Sequence, residues 1–296
     1  MIYYFLLVRI QVCLFMRRTG ICRPDPADQL NAISKLHEDL QKVPVDPEVY
    51  SNASEITRLP FPSTNRIPLR FPTLDDGLIS YMGREAFAEV WKAWLKVKSD
   101  TRRPQSIYIY GSKGYGKSYI LVALTCLLVC IGERVVYLPD CREALYEPMS
   151  YLQNAILLAF SDSNASNYRE RIHRCNSIED LVAFCKQYRA DGQLCFIADQ
   201  INALDPEPSG EDNVTNDDKA RLQKLLHEMW NSHINIRSAS ANHKSAKYMA
   251  RKDTGEQKIA TLGGMTSVRG LIRHSLCGPV HPHRFYIGRN VSLVGA

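Results

Sequence analysis

The sequence predicts an α/β fold in which a mostly parallel sheet is covered by helices on both faces, giving three layers. From residue 105 onward, short apolar runs alternate with longer helical patterns, and sheets built in this way are buried on both sides. The chain has 296 residues, of which 45% are hydrophobic and 23% charged, so it can bury a substantial core. The predicted strands are "SIYIY", "RVVYLPD", "LCFIADQ" and "INIRSASAN".

Helices are predicted between these strands. The first spans residues 116–131, and its apolar residues follow directly on a glycine-rich turn. The others are "PMSYLQNAILLAFS", "SIEDLVAFCKQY" and "DDKARLQKLLHEMWNSH".

Two more helices precede the alternation. In "DPADQLNAISKLHEDLQKV" the apolar residues follow the three- and four-residue spacing of an amphipathic helix, and "REAFAEVWKAWLKVKS" carries a stripe with two tryptophans. Prolines cluster between them, which favours an extended linker on a surface. We predict an N-terminal extension at 1–43, a Pro-rich linker with the tryptophan helix at 44–103, the α/β domain at 104–265 and a basic tail at 266–296.

Charge and cysteine usage narrow the classes of partner and compartment. The formal net charge is +6, and no acidic residue follows Glu256, so the C-terminal end is basic and compatible with nucleic acid, nucleotide or an anionic surface. Nine cysteines without CxxC spacing argue against a disulfide framework and against a zinc site, and favour a reducing compartment. The first 18 residues are apolar but too short to span a bilayer; a signal or anchor, a packed element and a gene-model artefact are the alternatives.

The turn "GSKGYGKS" fits the Walker A pattern G-x-x-x-x-G-K-[ST] of phosphate-binding loops, or P-loops. Glycines let backbone N–H groups converge on phosphate oxygens, and the start of the following helix adds the positive end of its dipole. A glycine-rich turn without a ligand is the alternative. The predicted nucleotide-binding residues are Gly111, Ser112, Lys113, Gly114, Tyr115, Gly116, Lys117 and Ser118, in which Lys117 reaches the phosphates and the Ser118 hydroxyl binds Mg²⁺.

A second acidic site is predicted at the end of "LCFIADQ". Asp199 follows an apolar strand, where a Walker B aspartate would hold Mg²⁺. The next residue is Gln200, which can orient a water molecule but cannot take its proton as a carboxylate would. We therefore expect ATP or GTP to bind with Mg²⁺ and to be hydrolysed slowly, so that the nucleotide acts as a conformational switch. Whether the chain is an enzyme is left open.

A third candidate is Asn242, after the strand "INIRSASAN". It matches the sensor position of AAA-like and STAND-like ATPases, which reports on the γ-phosphate, although a turn or cap is an equal alternative. Arg251, Arg269 and Arg273 are candidates for an arginine finger, but a solvated surface charge is the favoured interpretation of each.

Beyond these motifs, the sequence resembles the Crinkler (crinkling-and-necrosis) effectors of oomycetes and fungi over residues 69–265. The segments that carry the resemblance are "LRFPT", "YMGRE", "SIYIYGSKGYGKSYILVALTCLLVCIGERVVYLPDCREAL", "LVAFCKQY", "CFIADQINALD" and "SASANHKSAKYMARKDTGEQKIATLGGM". The resemblance implies a secreted P-loop NTPase module that acts inside a host cell, in its nucleus, on a host protein or nucleic acid; without it, a cytoplasmic location is expected. It supports the phosphate and metal residues above. The chain shows no LFLAK-like header and no C-terminal effector domain, which indicates an NTPase-only relative or a gene model truncated at both ends.

The leading hypothesis is thus a nucleotide-dependent effector module. The alternative is a non-catalytic interaction protein that uses the nucleotide fold as a scaffold and whose basic tail binds nucleic acid or a protein partner. The sequence predicts no stable membrane span, and it leaves the oligomeric state and the base of the nucleotide open.

Overall fold

A five-stranded parallel sheet organises the protein. The computed structural model describes residues 26–100, 106–111, 114–206, 214–240 and 257–260. The strands are β3 (Ser106–Gly111), β4 (Val135–Leu138), β5 (Cys195–Ala198), β6 (Ile234–Ser240) and β7 (Gln257–Ala260). They are ordered β4-β5-β6-β3-β7, and every neighbouring pair is parallel. Strand β6 therefore lies between β5 and β3, whose ends carry the two predicted phosphate and metal motifs.

Helices cover both faces of this sheet, which confirms the predicted three-layer α/β class. They are α4 (Lys117–Cys130), α5 (Pro148–Ala159), α6 (Ser166–His173), α7 (Ile178–Tyr188) and α8 (Asn216–Trp230). Alternate residues of a strand face opposite sides of a sheet. Accordingly, Ile107 and Ile109 belong to the core formed with α4, whereas Tyr108 belongs to the core formed with α5, α7 and α8.

The predicted N-terminal helical extension is also present. Its one predicted helix is α1 (Pro26–Leu40). The region predicted as a Pro-rich linker and tryptophan helix contains α2 (Pro47–Ser51), an antiparallel pair formed by β1 (Ile56–Pro60) and β2 (Leu78–Met82), and α3 (Glu85–Ser99). Residues 26–99 together are called the N-terminal extension below. Ile33 and Leu40 of α1 are buried, as the apolar periodicity predicts. On α3, Trp94 is buried and stacks on Trp91 with ring centroids 4.9 Å apart.

The proline-rich stretch between β1 and β2 lies against the α/β layer. The ring of Phe71 contacts Tyr119 of α4, with centroids 5.1 Å apart, and Phe61 lies 6.2 Å from Tyr137 of β4. The side-chain amide of Asn65 donates to the carbonyl oxygen of Tyr151 at 3.0 Å. These contacts with three different elements bring residues 60–74, here called the strap, close to the carboxyl edge of the sheet.

Other sequence expectations concern metals and membranes. Within the described residues, no helix has both the length and the apolar run needed to cross a bilayer. In the same part of the chain, no group of three or more His, Cys, Asp or Glu residues is placed to hold a metal ion. The domain boundaries stay predictions.

A buried histidine joins α7 to the sheet. Nδ1 of His233 accepts a hydrogen bond from the backbone N–H of Leu194 at 3.3 Å, and Nε2 lies 2.9 Å from the carbonyl oxygen of Cys185. Because Nδ1 accepts, the proton of the neutral ring sits on Nε2. Burial lowers the pKa of His233 below its usual value of 6.5. The folded state therefore favours the uncharged ring.

This histidine predicts an acid-dependent loss of stability. Since its pKa is lower in the folded than in the unfolded state, its contribution is complete above pH 6.5 and is lost as the pH falls below 6.5. One proton contributes at most about 1.4 kcal/mol per pH unit to the free energy of unfolding. Urea unfolding of wild type and His233→Gln from pH 7.5 to 5 should show a shallower dependence in the variant. Equal slopes would contradict the assignment.

Candidate functional site

The glycine-rich turn joins β3 directly to α4. Gly111 ends β3, and Gly116 is the N-cap of α4 with a left-handed backbone, φ 75°. Gly114 also has a left-handed φ of 91°. Such conformations cost a residue with a side chain about 1–2 kcal/mol, which explains the choice of glycine. The N-cap makes no side-chain hydrogen bond, so the first N–H groups of α4 are not capped by Gly116 and face the turn.

Lys117 lies inside this turn. Its side chain is buried, and Nζ donates to the carbonyl oxygen of Gly111 at 2.8 Å. Burial lowers the pKa of Lys117, and the nearby carboxylate of Asp199 partly offsets that effect. The motif thus holds a buried ammonium group close to an acid from another strand.

Arg84 lies on the outer side of the turn. A Cβ atom on Gly116 would stand 2.6 Å from Cζ of Arg84, so the guanidinium packs directly on the glycine. Among the described residues, Nε of Arg84 is buried and has no hydrogen-bond partner. Arg84 directly precedes α3, and its N–H donates to the carbonyl oxygen of Tyr50 at 2.9 Å. The N-terminal extension therefore contributes a second cation to the loop.

Asp199 follows β5 and is 1% exposed. Oδ1 accepts hydrogen bonds from the backbone N–H of Gln200, at 2.8 Å, and from the hydroxyl of Ser238 on β6. Oδ2 accepts from Nη2 of Arg70 at 3.2 Å. The buried carboxylate is thus compensated on both oxygens, as a buried charge requires.

Gln200 has an unusual backbone. Its φ of 55° is the only positive value at a non-glycine position within the described residues. Such strain is concentrated at functional sites, where the surrounding structure enforces it. In the orientation that satisfies both side chains, the Gln200 amide oxygen accepts from the guanidinium of Arg70. The amide predicted to orient water is therefore held by an arginine.

Arg70 belongs to the strap and was assigned no role from the sequence. Nη1 donates to Oδ2 of Asp140 at 2.7 Å, while Nη2 donates to Asp199 and to the carbonyl oxygen of Pro139. Burial alone would lower the pKa of Arg70, but the carboxylates of Asp199 and Asp140 outweigh it, and the pKa is raised. One guanidinium therefore ties the strap to the ends of β4 and β5.

The structure places most of the predicted residues at one edge of the sheet. Because all five strands are parallel, the ends of β3 and β5 meet there, with the end of β6 between them. Ser118 is the second residue of α4, and Tyr115 is half-buried in the turn before it. Ser112, Lys113 and Asn242 lie outside the described residues, as do Arg251, Arg269 and Arg273. The chemical role of each predicted residue stays a prediction.

The missed arginines had only a weak signal in the sequence. Arg70 stands among apolar and proline residues in "LRFPT", and Arg84 in "YMGRE". A charged residue within an otherwise apolar run is a reason to look for a buried partner. Neither run indicates which partner, because Arg70 is 129 positions from Asp199.

Comparison with known proteins gives structural neighbours only. No protein-family model matches the chain, and no curated protein matches it in sequence. A solved DNA replication initiation factor is 16% identical with a TM-score of 0.38, covering 66% of this chain and 52% of its own. AMPPCP-bound DnaA from Aquifex aeolicus is 14% identical with a TM-score of 0.35, and the match covers 64% of this chain and 50% of the DnaA chain. The Aeropyrum pernix ORC2 protein, in ADPNP-ADP complexes, is 18% identical with a TM-score of 0.35, and the match covers 68% of this chain and 50% of the ORC2 chain.

These findings correct the sequence interpretation in one respect. The resemblance to Crinkler effectors is wrong, because no family model matches the chain. The inference of secretion into a host cell and of a host partner rested on that resemblance and loses its support. The chain spans about half the length of the structures it matches.

The turn itself can be tested through its glycines. Gly116→Ala should lower the free energy of unfolding by about 1–2 kcal/mol, because alanine is strained at a left-handed φ. Gly77→Ala is the matched control: its φ is 78°, and an added Cβ would meet nothing within 4 Å. We expect similar losses in urea unfolding, since the Arg84 side chain can move aside. A loss several times larger for Gly116→Ala would show that Arg84 is held rigidly.

Proposed function

We propose that the protein binds a nucleoside triphosphate with Mg²⁺ at the turn between β3 and α4, and that it hydrolyses the nucleotide slowly. The observation that carries the proposal is the buried ammonium group of Lys117 in a left-handed glycine turn at the start of a helix. A buried cation beside uncapped N–H groups favours an anionic ligand. The described residues fit such a ligand in two ways. The space that a Cβ atom on Gly114 would occupy is open, and the guanidinium of Arg84 lies against Gly116.

Each site residue has its own role in the proposed function. Backbone N–H groups of residues 111–118 surround the phosphates, and Lys117 contacts their outer oxygens. The Ser118 hydroxyl and the Asp199 carboxylate hold Mg²⁺, which when bound neutralises the negative charge of the phosphates. Ser112 and Lys113 complete the loop, and Asn242 is proposed as the sensor of the terminal phosphate. Arg84, packed on Gly116, adds positive charge at the loop.

Slow turnover follows from Gln200. Its amide can hold an attacking water by hydrogen bonds but cannot accept the proton that a carboxylate would take. In addition, its amide oxygen is engaged by Arg70. The bound state would then last long, which suits a nucleotide-dependent switch. The base is left open between ATP and GTP, since the proposed contacts are to phosphates alone.

The alternative function, a scaffold whose basic tail binds nucleic acid or a protein, depends on residues 266–296. These residues lie outside the described part of the chain. Among the described residues, nothing favours that function over nucleotide binding.

Lys117→Ala should weaken binding of a fluorescent ATP or GTP analogue about 100-fold, because charge-assisted hydrogen bonds to two phosphates are lost. Lys98→Ala is the control: it removes the same charge from a partly exposed side chain that pairs with Glu133 at 2.7 Å. That variant should bind like wild type. Equal affinities in Lys117→Ala and wild type, with both proteins folded by circular dichroism, would overturn the proposal.

Gln200→Glu should raise the rate of phosphate release about 10-fold or more, because it supplies a general base beside Asp199. Gln200→Ala provides the control for loss of the amide alone, and its rate should not exceed that of wild type. Phosphate release is measured at saturating nucleotide and Mg²⁺. A wild type that binds nucleotide, with no turnover in either wild type or Gln200→Glu, would mean that the site binds without hydrolysis.

A further inference from the structure

The strap carries a cation into the acidic part of the candidate site. Arg70 bridges two carboxylates at the ends of neighbouring strands, with Nη1 2.7 Å from Asp140 and Nη2 3.2 Å from Asp199. The side chains of Asp140 and Asp199 are only 13% and 2% exposed, so solvent does little to screen them from each other. Arg70 thus places one positive charge between two carboxylates at this edge.

Asp199 has little remaining capacity to bind another cation. A carboxylate offers about four lone-pair positions. Two donors, Gln200 N–H and the Ser238 hydroxyl, bind Oδ1, and Arg70 binds Oδ2. Mg²⁺ demands near-octahedral oxygen ligands and repels a neighbouring guanidinium. The one remaining position is on Oδ2, directly beside the Arg70 guanidinium, so a divalent cation bound there would meet the charge of Arg70 and favour its displacement.

Arg70 can leave Asp199 without losing every partner. Asp140 and the carbonyl oxygen of Pro139 both accept from the same guanidinium. The strap is also connected to the first turn of α4, because the hydroxyl of Tyr119 donates to the carbonyl oxygen of Arg70 at 3.4 Å. Tyr119 directly follows Ser118, which we propose as a metal ligand. A shift of the Arg70 backbone would therefore also disturb the contact between the strap and α4.

We propose that Arg70 competes with a divalent cation for Asp199, so that metal binding is coupled to loosening of the strap, residues 60–74, from the carboxyl edge of the sheet. The inference rests on Asp199 being the metal aspartate of the proposed function. It also explains how Gln200 would become available, since the same guanidinium engages its amide oxygen.

The first experiment uses Mn²⁺ alone, titrated into nucleotide-free protein and followed by the electron paramagnetic resonance signal of free Mn²⁺. Arg70→Gln leaves Asp140 and Asp199 without the guanidinium that bridges them, so Mn²⁺ should bind about tenfold more tightly than to wild type. Asp199→Asn, introduced into Arg70→Gln, should abolish the gain. Arg58→Gln is the matched control, because Arg58 also pairs with an aspartate, Asp76, but its side chain is 68% exposed. It should bind Mn²⁺ like wild type.

Unchanged or weaker Mn²⁺ binding in Arg70→Gln would overturn the inference. If the nucleotide analogue binds normally while Mn²⁺ binding is unchanged, only the role of Arg70 falls. If the analogue fails to bind but Mn²⁺ binding tightens as expected, only the proposed nucleotide function falls. The two proposals therefore fail separately.

A second experiment requires no variant, so it tests the coupling between metal binding and the strap even if Arg70→Gln does not fold. Hydrogen exchange of wild-type amides within residues 60–74 is compared with Mn²⁺ and with EDTA. Faster exchange of the strap in Mn²⁺, with unchanged exchange in α8, supports the coupling. Exchange that is unchanged or slower in the strap at saturating Mn²⁺ would overturn it.

Discussion

The buried carboxylate of Asp199 is the constraint on which the arrangement of this edge of the sheet depends. A carboxylate that is 1% exposed is stable only if charge and hydrogen bonds replace the water that it has lost. The replacements come from three places in the chain: the next residue, the neighbouring strand β6 and the strap. Ser238 binds Asp199 only because β6 lies directly beside β5, so the strand order and the electrostatics of the site are linked.

The position of the strap is linked to the same buried carboxylate. Arg70 would lose most of its hydration on entering the site, and two carboxylates and a carbonyl oxygen compensate for that loss. Its position is maintained by aromatic contacts, with Phe71 against Tyr119 and Phe61 against Tyr137. The proline-rich composition suits this role, because a proline has no backbone N–H that would need a hydrogen-bond partner. A segment that reads as a linker can thus supply a charged residue to a site.

The features that the sequence predicted are those specified locally. The glycine turn, Lys117 and Asp199 were predicted because strand, turn and helix are adjacent in the chain and each leaves a short pattern. The α/β class followed from the alternation of such patterns. Arg70 and Arg84 were not predicted, since their partners are distant in sequence and no periodicity relates them. The Crinkler resemblance was wrong; it rested on short sequence segments, which do not by themselves specify a family.

The balance of charges at the carboxyl edge of the sheet bears on the proposed competition between Arg70 and a divalent metal ion for Asp199. Lys117, Arg70 and Arg84 bring three positive charges to this region, against the two carboxylates of Asp140 and Asp199. A triphosphate alone would find a complementary surface at the glycine turn, whereas a divalent metal would add to the positive charge already present beside Asp199. Under the proposed function, metal and phosphate would therefore favour each other's binding, because the phosphates would offset the repulsion between the metal and Arg70. In the proposed coupling the strap would respond to the metal rather than to the phosphates, since only the metal would bind the oxygen of Asp199 that Arg70 contacts.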